Sequence, residues 1–230
     1  MTRAIIYSEP RKGCKDVWNA FMTKGALYSN NDIPYCPTTA KTVPKGLIGF
    51  DETKQIPHPE FFVHFYMDDY KFDGERGIWR RPQTALDRLR QYAGVITPDF
   101  SPYQDMPEPL KIYNVFRSRT FGYWLAAEGV SVINNVRWGT SETYRYCFDG
   151  LPRDSILAIG TVASGLRNLY DRRRFENGLA EMVDRLYPHT IIVYGSANYE
   201  CFNELRKSGI NIVCFQSKTS LAFERRQADE

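Results

Sequence analysis

The chain has 230 residues, of which 43% are hydrophobic and 14% aromatic, and its 30 Lys and Arg against 27 Asp and Glu give a net charge of +3. That length and apolar content favour one folded domain with a sizeable core over a disordered chain. The near balance of charge excludes a uniformly basic surface of the kind that coats DNA, so any contact with nucleic acid must be local.

Compartment and solubility can be predicted from what the sequence contains. The N-terminus has no secretory apolar segment and no stretch reaches the length of a membrane span, which predicts a soluble protein without membrane contact. The five cysteines are odd in number and widely spaced. This pattern is typical of reduced thiols and predicts a cytoplasmic location.

The chain divides by pattern into three parts. Residues 1–58 are rich in Pro and Gly yet hold many aromatic side chains, which predicts an irregular N-terminal extension packed on the core. Residues 59–217 alternate short β-branched or aromatic runs with longer helical patterns and form the predicted core domain. Residues 218–230 predict a flexible tail.

Within the core domain the pattern predicts six strands and four long helices. The strands are expected at 61–67, 94–97, 130–136, 155–159, 190–194 and 210–215. The helices are expected at 82–92, 109–128, 171–187 and 198–207. This alternation predicts an α/β fold with a mostly parallel sheet of five to six strands, open or partly barrel-like, with flanking helices. Residues 137–153 interrupt it as an irregular excursion or an edge strand.

Five of the predicted strands end in polar residues. These endings are Asp68-Asp69, Asp99, Asn135 with Arg137, Gly160-Thr161, and Tyr194-Gly195-Ser196. Because the carboxyl ends of parallel strands share one rim, where ligands bind in α/β folds, we expect the functional site there. The side chains of Asp68, Asp99, Arg117 and Asn135 should then line one cleft.

Three carboxylates at this rim predict a catalytic metal site. Asp68, Asp69 and Asp99 follow two different strands, and two or three carboxylates with water are what octahedral Mg²⁺ or Mn²⁺ requires. Such a metal activates water and neutralises a phosphoryl oxygen. The alternative for each residue is structural, because Asp after a strand often caps a helix or folds an Asx turn.

Polar and cationic side chains near the same rim predict recognition of phosphate. Asn114 and Arg117 share one face of the long helix, and Asn135 and Arg137 follow the next strand. A guanidinium grips phosphate or carboxylate with two parallel hydrogen bonds. The alternative is that each arginine pairs structurally with Asp68 or Asp99.

Backbone amides and a basic run give two further candidates. Gly160 and Thr161 open a Gly-rich turn over 159–165 that can present N–H groups to an anion, and Ser196 is a candidate for the same ligand. A plain turn is the alternative, and the absence of Gly-Lys-Ser/Thr excludes a nucleotide-hydrolysing P-loop. Arg167 and Arg172 to Arg174 lie at the start of a helix, where they form either a nucleic-acid contact or a solvated face.

Several segments carry a resemblance to a known family. They are DDY at 68–70, TPDFSPYQDMP at 97–107, IYNVFRSR at 112–119, GYW at 122–124, NVRWG at 135–139, CFDGLP at 147–152 and IVYG at 192–195. On these motifs the core from 68 to 215 resembles domain-of-unknown-function family 4417, which recurs in phages, plasmids and bacterial genomes. The resemblance implies a phage or mobile-element setting and no activity. The first sixty residues carry none of it.

Three functions are consistent with these patterns. The first is an enzyme that uses Mg²⁺ or Mn²⁺ and acts on a nucleotide or nucleic-acid phosphate, with no organic cofactor. The second is a non-catalytic accessory protein that sequesters a nucleotide-like ligand or blocks a host protein. The third is a nucleic-acid-binding module that uses the basic run. No motif of a zinc protease, zinc ribbon, α/β-hydrolase or zinc deaminase is present.

Overall fold

A computed structural model describes residues 3–4, 15–162, 164, 166 and 168–228, and gives only the backbone of residues 3, 4, 223–226 and 228. Ala163 and Gly165 of the predicted Gly-rich turn, Arg167 of the basic run and Cys14 lie outside the described residues. The four cysteines that are described, at positions 36, 147, 201 and 214, are free thiols.

The fold is built on one seven-stranded sheet in which every neighbouring pair is parallel and the strands follow one another in chain order. The strands are β3 (Leu47–Gly49), β4 (Phe62–His64), β5 (Gly94–Ile96), β6 (Val132–Asn135), β7 (Ile156–Gly160), β8 (Thr190–Tyr194) and β9 (Asn211–Phe215). A short antiparallel pair, β1 (Arg3–Ala4) with β2 (Leu27–Tyr28), lies outside this sheet. The predicted parallel α/β fold is confirmed.

In the part of the chain that the structure describes, six helices accompany the sheet. They are α1 (Pro82–Leu89), α2 (Glu108–Ala127), α3 (Tyr144–Cys147), α4 (Leu169–Leu186), α5 (Glu200–Lys207) and α6 (Lys218–Ala228). One face of the sheet packs on the buried side chains of α1, α2, α4 and α5, whereas the other buries mainly strand residues such as Phe62, Ile133 and Ile192. Sequential order with right-handed crossovers produces this one-sided arrangement and curls the sheet like half of a barrel.

The curl brings the first and last strands of the sheet close together at their carboxyl ends. Lys218, just after β9, has its ammonium nitrogen 2.9 Å from carboxylate oxygens of both Asp51 and Glu52, which follow β3. No strand completes the sheet between β3 and β9 among the described residues. These ion pairs therefore cross the gap where a closed barrel would have a further strand.

The structure departs from the expected elements in two places. Leu47–Gly49, in the extension predicted to be irregular, forms the seventh strand, because it pairs in register with β4. A three-residue strand is too short for its alternation to be recognised in the sequence. Residues 218–228, predicted as a tail, form the helix α6.

The segment 137–153 follows the first of its two predicted alternatives, the irregular excursion. It holds a 3-10 turn and the short helix α3 and contributes no strand to the sheet.

The N-terminal segment packs into the sheet as well as over it. β6 pairs with β5 at Val132 and Ile133, but pairs with β7 only from Asn134 onward. In the gap, the N–H groups of Thr39 and Ala40 donate to the Val132 carbonyl at 2.9 and 3.1 Å. The extension therefore supplies the hydrogen bonds that β7 does not, and holds the two halves of the sheet together.

A buried arginine joins α2 to the sheet. The guanidinium of Arg119, which is 2% exposed, donates to the main-chain carbonyls of Asn135, Cys147 and Asp149 at 3.0–3.1 Å. Burial lowers the pKa of Arg119 to about 10, so it remains charged at neutral pH. One side chain thus fixes the end of β6 and the end of α3 against the middle of α2.

Replacing Arg119 by Met should destabilise the fold strongly. The substitution removes the Arg119 donors from three main-chain carbonyls, and we expect the free energy of unfolding in urea to fall by roughly 3 kcal/mol or more. Arg90→Met removes an exposed ion pair with Glu128 and should change it by about 1 kcal/mol or less. Equal effects of the two substitutions would show that Arg119 is not a structural centre.

Candidate functional site

A cleft of about 560 Å³ lies at the carboxyl ends of the strands, where the sequence predicts the site. Side chains that follow β3, β4, β5, β6, β7 and β9 line it together with Tyr194 of β8 and Arg174 of α4. Those with chemistry to offer are Asp51, Tyr66, Asp68, Asp69, Asp99, Tyr103, Arg137, Arg174, Tyr194 and Lys218.

A directed chain of hydrogen bonds forms the floor of the cleft. The Tyr66 hydroxyl donates to Asn135 Oδ1 at 3.0 Å, and Asn135 Nδ2 donates to Asp99 Oδ1 at 2.9 Å. Burial, and secondarily the charge of Asp99, raises the pKa of Tyr66 well above its usual value, which keeps its proton available for donation. The other oxygen of Asp99 lies 3.5 Å from Arg137 Nη1. The structure thus brings Asp99, Asn135 and Arg137 together.

Asp69 is held by the loop that follows β5. It accepts hydrogen bonds from the main-chain N–H and hydroxyl of Ser101, both at 3.2 Å, and from the Tyr103 hydroxyl at 3.0 Å. Burial raises the pKa of the Asp69 carboxyl, and the negative charge of Asp99 adds to the effect. A carboxyl with a raised pKa in a cleft is suited to giving or taking a proton.

Asp68 lines the same cleft from a more exposed position. Its side chain is 70% exposed and forms an ion pair with Lys71 at 3.7 Å. Among the residues with described side chains, no three His, Cys, Asp or Glu are grouped so that they could hold a metal ion. The three aspartates therefore line one cleft but are not grouped as a complete set of metal ligands. A metal bound there would need further ligands that these side chains do not supply.

Arg117 and Asn114 lie outside the cleft, so the expectation that Arg117 lines it is wrong. Arg117 Nη1 is 2.6 Å from Asp73 Oδ1, and its guanidinium lies 4.0 Å from the centre of the Phe100 ring. Asn114 accepts from Arg117 at 2.6 Å and donates to the Ser101 carbonyl at 2.7 Å. The pair supports the loop that carries Asp99 from behind.

A smaller pocket of about 180 Å³ adjoins the cleft between the ends of β6 and β7. Arg137 and Arg174 line both hollows, and Gly160 and Ser164 line the smaller one. A Cβ on Gly160 would lie 2.8 Å from the Tyr66 ring. Gly160 is therefore needed for the close packing of Tyr66 as well as for access to the turn.

Thr161 and Ser196 link the turns after β7 and β8. The Thr161 hydroxyl donates to the Ser196 carbonyl at 3.0 Å, and the Ser196 hydroxyl accepts from the N–H of Asn198 at 3.2 Å. Neither side chain is among those that line the cleft or the smaller pocket. Through these contacts Thr161 and Ser196 hold the turns of the rim together.

Sequence reasoning missed the residues that reach the cleft from outside the polar strand endings. The sequence pattern predicts a tail at Lys218 and an irregular extension at Asp51, although the two residues form an ion pair across the mouth of the sheet. Tyr66 was part of an apolar run, and its stacking on Tyr194, with ring centres 5.1 Å apart, shows that it points inward. Side chains alternate between the two faces along FFVHFYM, which places Tyr66 on the same face as His64. This alternation is the one signal in the sequence for the orientation of Tyr66.

Comparison with known proteins identifies the family of this chain. The model of the family Domain of unknown function (DUF4417) matches residues 27–216. The chain belongs to this family. The match begins well before residue 68, so the expectation that the first sixty residues carry no resemblance is corrected: most of the N-terminal segment that packs into the sheet is part of the family domain.

Two relatives come from phages. The chain is 38% identical to the Gene 1 protein of Mycobacterium phage L5 over 138 residues, 60% of this chain and 58% of the relative. It is 33% identical to the Gene 1 protein of Mycobacterium phage D29 over 207 residues, 86% of this chain and 72% of the relative. The chain thus aligns with under three fifths of the L5 protein. No solved structure matches this DUF4417 chain.

None of the described helices combines the length and the apolar character that a membrane-crossing helix needs.

His64 lies beneath the cleft and should make stability depend on pH. Its ring, 2% exposed, accepts a hydrogen bond from the N–H of Tyr66 at 3.1 Å. Burial, with the nearby charge of Lys218, lowers its pKa from 6.5 to about 3. The unfolded chain therefore binds more protons than the folded one between those values, so His64 contributes stability that is complete above pH 6.5 and lost as pH falls.

We expect the contribution of His64 to be smaller by about 2 kcal/mol at pH 5 than at pH 7. Urea unfolding of His64→Asn, which keeps an acceptor near the same place, should show a correspondingly weaker loss of stability on acidification. His58→Asn is the control, because the His58 side chain is 61% exposed. The same pH dependence in wild type and His64→Asn would mean that His64 also takes up a proton in the folded protein.

Proposed function

We propose that the cleft binds a phosphate of a nucleotide or nucleic acid, and that the protein acts on it as an enzyme that requires Mg²⁺ or Mn²⁺. Asp69 and Asp99 are the proposed reacting carboxylates, and Arg137 is the proposed phosphate ligand. Asn135 and Tyr66 orient Asp99. The proposal rests on the site, because the family description and the phage relatives carry no activity.

The incomplete pairing of Arg137 is the observation that carries the proposal. A guanidinium has five N–H donors. Among the described residues, the only ion-pair partner of Arg137 is one oxygen of Asp99 at 3.5 Å, and the side chain is 29% exposed. It lies between the cleft and the smaller pocket, and Arg174 lines both as well. Two guanidinium groups facing one space favour a ligand with several anionic oxygens.

The metal in this proposal binds together with the phosphate. Mg²⁺ is commonly held by one or two carboxylates and completed by substrate phosphate oxygens and water. Asp69 and Asp99 can supply the two carboxylates only when Arg137 turns from Asp99 to the phosphate. The bound phosphate therefore completes the metal site. The small number of protein carboxylates there is consistent with a metal that binds together with the phosphate. The more exposed Asp68 can supply a third oxygen through water.

A non-catalytic binding protein is the second candidate. Asn135 donates a hydrogen bond to Asp99, which also forms an ion pair with Arg137, and Asp69 accepts hydrogen bonds from Ser101 and Tyr103. None of these contacts needs a metal. In this function the cleft retains a nucleotide-like ligand through its arginines and tyrosines. The carboxylates only orient those groups. A host protein as partner stays a prediction, since no described surface favours it over a nucleotide.

Thermal unfolding with a panel of nucleotides should separate the two candidates. We expect a nucleotide to raise the melting temperature, and millimolar Mg²⁺ to add to the shift only when the nucleotide is present. Asp99→Asn should remove the metal-dependent part and keep the rest. A nucleotide shift that is indifferent to metal and to Asp99→Asn would overturn the enzyme and favour the binding protein.

Substitution of Arg137 tests phosphate binding directly. Loss of one bidentate contact should weaken nucleotide binding roughly ten- to a hundredfold in Arg137→Ala, with partial recovery in Arg137→Lys. Arg145→Ala is the matched control, because Arg145 is 63% exposed and pairs with Glu108 away from the cleft. Unchanged affinity in Arg137→Ala would contradict the proposed site.

A further inference from the structure

Arg174 lies where three hollows meet. It lines the cleft and the smaller pocket, and also a third hollow of about 700 Å³ on the surface beside α4. We call the third hollow the outer groove; its lining includes Ser141, Tyr144, Tyr170, Arg173, Asn177 and Asp184. The cleft therefore continues past Arg174 onto the surface, which gives a ligand a way out.

The outer groove begins with an aromatic and a cationic side chain that are free to bind. Tyr170 is 70% exposed and stands one helical turn before Arg174, on the same face of α4. Arg173 is exposed and makes no ion pair or hydrogen bond with any side chain that the structure describes. An exposed aromatic ring beside unpaired positive charge is the arrangement on which bases of a single strand stack.

Arg174 is held in position between the hollows by two neighbours. Its Nη2 is 3.0 Å from Asp171 Oδ1, and its Nη1 donates to Gln104 Oε1 at 2.7 Å. Gln104 belongs to the loop after β5 that also carries Tyr103, which is 45% exposed and lines the cleft. Tyr103 therefore lines the cleft and Tyr170 lines the outer groove, and Arg174 lines both.

We propose that the ligand is a short single-stranded nucleic acid rather than a free mononucleotide. This rests on the proposed function of the cleft. One phosphate binds at Arg137, the chain passes Arg174, and the next bases stack on Tyr170 in the outer groove. Glu181 and Asp184 line the same groove. Their negative charge repels further phosphates, so the bound segment is short.

Binding of fluorescent thymidine oligonucleotides, measured by anisotropy, tests the inference. A tetranucleotide should bind more tightly than thymidine monophosphate, and an octanucleotide should gain little more. Tyr170→Ala should weaken the tetranucleotide by roughly tenfold, the cost of one lost stacking contact, and leave the monophosphate unchanged. Arg173→Ala should reduce the slope of log affinity against log salt by about 0.7. Uridine oligonucleotides in parallel distinguish RNA from DNA.

Tyr187→Ala is the matched control for Tyr170→Ala. Tyr187 is also an exposed tyrosine, at the other end of α4, where it stacks under Arg153. It should affect neither ligand. If the tetranucleotide and the monophosphate bind with equal affinity, or if Tyr170→Ala weakens both equally, the proposed binding of bases in the outer groove is wrong. The proposed binding of phosphate in the cleft would still hold. Tetranucleotide binding that Tyr170→Ala weakens but Arg137→Ala does not would instead overturn the phosphate site in the cleft. Absence of binding by either ligand would overturn both.

Discussion

Arg119 is a buried positive charge that has no carboxylate partner among the described residues, and it is the constraint on which the rest of the structure depends. Arg119 is satisfied by main-chain carbonyls of Asn135, Cys147 and Asp149, which belong to β6 and to the segment after it. A buried guanidinium is costly unless its donors are met, so these carbonyls must keep their positions. Because one of them belongs to Asn135, the same bond that stabilises the core sets the place from which Asn135 reaches Asp99.

The two halves of the sheet meet at β6, which also connects the N-terminal segment with the cleft. β6 pairs with β5 in its first half and with β7 in its second, and the N-terminal segment fills the opening between. Asn134 Nδ2 donates to the Cys36 carbonyl and to the Thr38 hydroxyl, both at 3.1 Å. Neighbouring asparagines on β6 thus have different roles. Asn134 anchors the inserted segment, and Asn135 positions Asp99 at the rim.

Local patterns predicted most of the fold but only part of the site. Six strands and four helices could be recognised because β-branched runs and helical spacing act within a few residues. The rim followed from the parallel order, which brought Asp69, Asp99 and Arg137 to one cleft and placed the buried Asn135 against Asp99. Lys218 and Asp51 could not be placed there, since they meet only after the sheet curls and they stand 167 positions apart in the chain. Contacts of that separation have no signature in one sequence.

Arg117 and Arg137 show what decides whether an arginine is structural or free to bind. Arg117 lies on the long predicted helix and Arg137 follows a predicted strand, and the sequence pattern predicts phosphate recognition for both. Asp73, from the turn after β4, meets Arg117 at 2.6 Å, and Phe100 covers its face, so its charge is used within the fold. Arg137 has the longer 3.5 Å contact with an aspartate that Asn135 also engages. Arg137 lines the cleft, and the unequal supply of carboxylate is what distinguishes the two arginines.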